Sequence, residues 1–154
     1  TGKEIVRLLK PFDCNIFAND IIDQKEFYNQ NNIIELPKEE IFKDCDFVTI
    51  NTPYNSSTKN MVDMKVLKSM KKSSYLINIA RGGIVNEFDL KKALQNNIIS
   101  GAAIDAYEQE PPSDTEFLKL PNLICTPHIG GNAKEAVEAM GLSSINHIKK
   151  FYNL

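Results

Sequence analysis

Short apolar runs alternate along the chain with amphipathic ones, and the hydrophobic period switches with them. From Gly2, KEIVRLLKPF gathers Ile5, Val6, Leu8 and Leu9 on one broad helical face, and Pro11 ends it. CNIFAND (14–20) predicts a short strand ending in Asp20, residues 24–30 a short helix, and NIIEL (32–36) another strand. PKEEIFKDC (37–45) carries proline and acidic residues at its start, which suits a helix amino end. DFVTINTP predicts a strand over 47–50 that breaks at Pro53. DMKVLKSMKK (63–72) predicts a helix with Met64, Leu67 and Met70 on one face.

The alternation continues with a strand at YLINIA (75–80) and a helix at NEFDLKKALQNN (86–97), capped by Asn86. GAAIDA (101–106) and NLICTP (122–127) are two more strands. A long helix from Asn132 to Tyr152 sets Val137, Met140, Ser144, Ile145, Ile148 and Phe151 along one side. Several strands are apolar without period-two alternation. That predicts an α/β domain around a parallel sheet covered on both faces.

Ligands of such open sheets bind beyond the carboxyl ends of the strands. The residues there are Asp20, Asn51-Thr52-Pro53, Arg81-Gly82-Gly83, Asp105 and Thr126-Pro127-His128. Arginine, histidine and acids therefore share one predicted edge. An arginine at the end of a buried strand is costly unless it meets an anion. Two glycines directly after it point to a sharp turn or a close approach to the backbone.

Composition narrows the classes. The 154 residues favour one domain, and 18 basic against 20 acidic residues, mixed along the chain, favour neither nucleic acid nor a membrane surface. No apolar run approaches the roughly 20 residues that span a bilayer. Cys14, Cys45 and Cys125 form no C-x-x-C pair, so we expect small buried hydrophobes in a reducing cytoplasm. Two histidines without a carboxylate cluster supply no metal-ligand spacing.

Four separated motifs carry a further signal: VTINTPYNSSTKNMV (48–62), LINIARGGIVNE (76–87), GAAIDAYEQEPP (101–112) and TPHIGG (126–131). Together they make the chain resemble the nucleotide-binding domain of the D-isomer-specific 2-hydroxyacid dehydrogenases, most closely the D-3-phosphoglycerate dehydrogenase branch. The resemblance implies a Rossmann-like, doubly wound parallel sheet. Gly2 matches the last glycine of the G-x-G-x-x-G turn and Thr1 the residue before it. The first strand and most of that turn lack a counterpart here, as does the separate substrate domain. Residues 1–154 are thus expected to be an incomplete NAD-binding domain, from a truncated or partly resolved chain rather than a natural minimal protein, and inactive alone.

The resemblance assigns roles by position. Asp20, eighteen residues after Gly2, would accept the adenosine ribose hydroxyls and favour NAD over NADP; Asp23 is a possible sharer. Thr52 and Pro53 would run beside the cofactor, with Ile79 and Ala80 near the nicotinamide ring, while Thr58 is either a contact or a turn former. Arg81 would grip the substrate carboxylate and 2-oxo group, His128 would exchange the proton, and Glu110 would orient His128. Only the motif match selects Glu110 over Glu108. Asp105 would hold the nicotinamide side, and Gly131, like Asn132, departs from the usual small residue and hydroxyl.

The expected activity is reversible hydride transfer between NAD and a small 2-hydroxy or 2-oxo acid. Phosphoglycerate, hydroxypyruvate, glyoxylate and longer acids all stay open as substrate types. A corepressor-type NAD(H)-binding module of the same fold is the alternative. The apolar face of the last helix fits a homodimer, and equally packing within one chain.

Overall fold

The computed structural model describes residues 1–153. Helix α1 (Gly2–Leu9) runs into a 3₁₀ turn at Lys10–Phe12, where Pro11 stops it. Strand β1 (Phe17–Ala18), helix α2 (Lys25–Gln30), strand β2 (Ile34–Glu35) and helix α3 (Lys38–Asp44) follow. Next come β3 (Phe47–Ile50), α4 (Met64–Ser69), β4 (Tyr75–Asn78), α5 (Glu87–Gln95) and β5 (Gly101–Ile104). A short helix α6 (Thr115–Leu118), strand β6 (Leu123–Cys125) and helix α7 (Lys134–Tyr152) complete the order.

All pairings between these strands are parallel. β3, β4, β5 and β6 form one sheet in chain order, with Phe47 opposite Tyr75, Tyr75 opposite Gly101 and Ala102 opposite Leu123. β1 and β2 form a separate two-stranded sheet. The division falls between β1 and β3, where a doubly wound sheet has its first strand. Because each strand of the larger sheet points the same way, residues 51–54, 79–83, 105–110 and 126–131 all leave it at one edge.

Alternate residues of this sheet, Val48, Ile50, Leu76, Ala102 and Ile104, are buried together with Leu67, Leu90 and Leu94 of the crossover helices. Each such large side chain contributes roughly 1.5–3 kcal/mol by leaving water. Asp63 caps α4 by accepting the Val66 N–H at 3.0 Å, and Asn86 caps α5 by accepting the Asp89 N–H at 3.0 Å. Asp89 in turn accepts the Met64 N–H at 2.9 Å, so the two helix starts are tied together.

Three expectations are corrected: the cover of the sheet, the extent of strand 14–20 and the burial of Cys14. The sheet is covered on one face only: on the other, Phe47 is 67% and Ile124 69% exposed, and Phe47 stacks on Tyr75 with ring centroids 5.2 Å apart. Strand 14–20 shrinks to Phe17–Ala18, because pairing with the two residues of β2 is all that holds it, and Cys14 is therefore exposed rather than buried. The apolar face of α1 buries no residue, since the small sheet offers it too little surface. α7 likewise buries none along its whole length, so its apolar side is not packed within this chain. No described helix is long and apolar enough to cross a membrane.

Candidate active site

The turn after β4 is shaped by Asn78, which is 2% exposed. Its side-chain amide donates to the Arg81 carbonyl at 2.9 Å, and its oxygen accepts the Ala80 N–H at 3.2 Å. The segment before α4 pins the same turn from outside: Asn60 N–H donates to the Gly83 carbonyl at 2.8 Å and Val62 N–H to that of Ile84 at 3.1 Å. Both glycines are required. A Cβ on Gly82 would lie 1.8 Å from the Tyr107 carbonyl oxygen, while Gly83 has φ +75° under the ring of Tyr54.

Arg81 emerges from this turn exposed, one of its guanidinium nitrogens donating to the Ala80 carbonyl at 2.7 Å. Among the described residues it forms no ion pair, which leaves most of its donor fork open to an anion. Beside it opens a cleft of about 640 Å³ lined by Thr1, Asn51, Thr52, Pro53, Tyr54, Ile79, Ala80 and Arg81. The hydroxyl oxygen of Thr52 is buried there without a hydrogen-bond partner. A buried hydroxyl left unpaired costs about 1–3 kcal/mol, so Thr52 is an uncompensated polar group in the wall of the cleft.

The turn after β6 carries His128 in left-handed backbone, φ +54°. Its Nδ1 lies 2.8 Å and 2.9 Å from the two carboxyl oxygens of Glu110. An ionised carboxylate only accepts, so Nδ1 carries the proton in this pair and Nε2 is the free nitrogen. The bond to His128, and after it the Tyr107 N–H, hold the Glu110 carboxyl below its ordinary pKa of 4.5. Between the two turns stands Asp105, buried at the end of β5. It accepts the Thr126 hydroxyl at 2.5 Å and the N–H groups of Ile129 and Gly130 at 3.0 and 3.1 Å.

Residues 1–130 match the sequence model of the D-isomer specific 2-hydroxyacid dehydrogenase, NAD binding domain. The chain belongs to that family. Over 153 residues it is 36% identical to a glycerate dehydrogenase of Methylorubrum extorquens, covering 97% of this chain and 46% of that protein. Identity is again 36%, over 151 residues, with a D-3-phosphoglycerate dehydrogenase of Methanocaldococcus jannaschii, covering 97% of this chain and 29% of the relative. The NAD-complexed D-isomer specific 2-hydroxyacid dehydrogenase of Lactobacillus delbrueckii ssp. bulgaricus superposes with a TM-score of 0.88 at 29% identity, covering 99% of this chain and 50% of that one. The chain therefore spans at most about half the length of these relatives.

Within this 2-hydroxyacid dehydrogenase domain, six of the positions singled out in the sequence meet at one cleft: Thr1, Thr52, Pro53, Ile79, Ala80 and Arg81. Glu110, Asp105 and His128 form a second, contiguous group on the same sheet edge. Asp20 stands apart, past the end of β1, exposed and accepting the Ile22 N–H at 3.1 Å; Asp23 is engaged with Lys25. Gly2 and Gly131 have open space where a Cβ would stand. Thr58 donates to the Pro53 carbonyl at 2.7 Å and accepts the Asn55 N–H at 2.8 Å, which makes it the brace of that turn. Among the described residues no cluster of His, Cys, Asp or Glu has the makings of a metal site.

Three supports escaped the sequence reading: Asn78, Tyr54 and Tyr107. The Tyr107 hydroxyl donates to the Thr126 carbonyl at 2.9 Å, and burial pushes its pKa well up. Only Asn78 left a trace in the sequence, as a polar residue inside an apolar strand.

Proposed function

We propose that this chain is the NAD-binding part of a D-2-hydroxyacid dehydrogenase that interconverts a small 2-hydroxy acid and its 2-oxo acid. The observation that carries the reading is the His128–Glu110 pair, 2.8 Å apart, on the sheet edge that also presents an unpaired Arg81. The 36% identity to a glycerate and a D-3-phosphoglycerate dehydrogenase favours a three-carbon acid of the glycerate type.

The cleft suits the cofactor on its own chemistry. The buried Thr52 hydroxyl lacks a partner, Ile79 and Ala80 offer apolar surface, and Thr1 and Pro53 complete the wall. Asp20, with one carboxyl oxygen free of the Ile22 N–H, is the acceptor for ribose hydroxyls. NAD, when bound, supplies the hydride chemistry, and the remaining work falls to side chains. Arg81 receives the substrate carboxylate on its open fork and fixes the orientation of the reacting carbon. His128 holds a proton at Nε2 for the 2-oxo oxygen and takes it back in the oxidative direction. Glu110 accepts from Nδ1 and keeps the ring turned. Asp105 serves the nicotinamide side through the turn it holds.

Arg81, Glu110 and His128 are all exposed in this chain, so exclusion of water from the reaction falls to a covering domain. The exposed apolar side of α7 supports pairing of two copies. The test is steady-state turnover of the whole protein with NADH and a series of small 2-oxo acids. Activity is expected in the wild type, with losses of at least about a hundred-fold in R81A and H128A. An intact protein inactive on every acid would refute the reading.

A further inference from the structure

Glu87 lies outside every group described so far, yet it connects two of them. It opens α5, six residues after Arg81, and its carboxyl oxygen accepts the Glu108 backbone N–H at 2.5 Å. Two residues on, Glu110 folds back on the same loop. Its Oε1 accepts the Tyr107 N–H at 3.1 Å and meets His128 Nδ1 at 2.8 Å. We propose that Glu87 is a positioning residue, which holds the Glu110–His128 pair in place by fixing the Tyr107–Glu108 backbone. The proposal rests on the reading of Arg81, Glu110 and His128 given above.

The loop is fixed at three points. Gly82 packs under the Tyr107 carbonyl, the Tyr107 hydroxyl reaches Thr126, and Glu87 takes the Glu108 N–H. The contact at Gly82 is steric and can only push. Glu87 is the attractive tie from the segment after Arg81 to the loop that carries Glu110. Its surroundings oppose a carboxylate: burial raises its pKa, and the charges of Glu108, Asp114 and Glu110 add to that, against the pull of the Glu108 N–H. The backbone N–H is what keeps it turned in.

Glutamine has the same reach and an oxygen that accepts the same N–H, so E87Q and E87A separate the tie from the charge. In the whole protein, E87A is expected to lower kcat about ten-fold with KM for NAD changed less than about two-fold, because the cleft around Thr52 is untouched. E87Q is expected to restore kcat to within about two-fold of wild type. A second readout needs no turnover: the Glu110 carboxyl carbon, assigned through E110Q, is titrated by ¹³C NMR. It is expected to titrate below the ordinary range in wild type and E87Q and to move up in E87A. An inactive wild type would refute the dehydrogenase reading while the titration still decides the role of Glu87. An unchanged Glu110 titration in E87A, or an equal rise in both variants, overturns the proposal. If E87A fails to fold, Glu87→Asp, one methylene short of the Glu108 N–H, takes its place in both assays with the same expected losses.

Discussion

One carboxyl oxygen of Asp105 lies 3.0 Å from the backbone nitrogen of Ile129, and this bond fixes the left-handed turn in which His128 stands. The rigid end of β5 thereby sets a residue of the loop after β6. Asp105→Ala removes two bonds to backbone N–H groups and one to the Thr126 hydroxyl. Bonds to a charged acceptor contribute about 1.5–3 kcal/mol each, and water recovers part of that for the freed donors. We expect a loss of about 3 kcal/mol in urea unfolding. Asp105→Asn, which keeps one acceptor oxygen, should lose less.

Stability should fall in acid. Burial works to raise the Asp105 pKa, but the Thr126 hydroxyl and the N–H groups of Ile129 and Gly130 outweigh it and leave the carboxyl below its ordinary 3.8. Glu110 lies below its ordinary 4.5 through the bond to His128 and the Tyr107 N–H. A carboxyl with a depressed folded pKa stabilises the fold above its unfolded value and loses that effect as pH drops through the folded one. The melting temperature should therefore be flat from neutrality to about pH 5 and decline below it. D105N and E110Q together should flatten the acid limb.

Much of this was legible in the sequence, and the omissions have physical reasons. The strands over 47–50, 75–78, 101–104 and 123–125 announce themselves as apolar runs, and the residues just after them are the ones gathered at the edge. Glu110 and Glu108 could not be separated by spacing, because a turn has no period; the structure pairs Glu110 with His128 and leaves Glu108 to offer its N–H to Glu87. The bonds that Asp105 accepts from the Ile129 and Gly130 N–H groups were not legible, because no sequence spells out a backbone partner. The open face of the sheet was invisible for a different reason. An apolar residue records that it wants cover, and Phe47 and Ile124 look the same whether or not they have it.

Gly82→Ala should be among the most damaging single-methyl changes. Its Cβ would meet the Tyr107 carbonyl at 1.8 Å, backbone against backbone, so no side chain can yield. We expect a cost of about 3 kcal/mol in chemical denaturation, with the Glu110–His128 pair the first to separate.

Thr52→Val should separate stability from binding. The substitution removes a buried hydroxyl that has no partner, so the free chain should gain about 1 kcal/mol against urea. If that hydroxyl is reserved for the cofactor, NADH affinity should weaken about five- to ten-fold, read by the emission of NADH on titration. A variant that is stabilised yet binds equally well would remove Thr52 from the groups that hold the cofactor.

β3 to β6 pair strictly in chain order, each strand with the one made just before it. Translation can therefore assemble Arg81, Glu110 and His128 as it proceeds, every new strand finding its neighbour already in place across a single crossover. β1 and β2 share two residue pairs and no bond to the larger sheet, so the piece that carries Asp20 should be the first to exchange its amide protons for deuterium. The molecule is thus expected to keep the arrangement of Arg81, Glu110 and His128 after it has let go of the segment that carries Asp20.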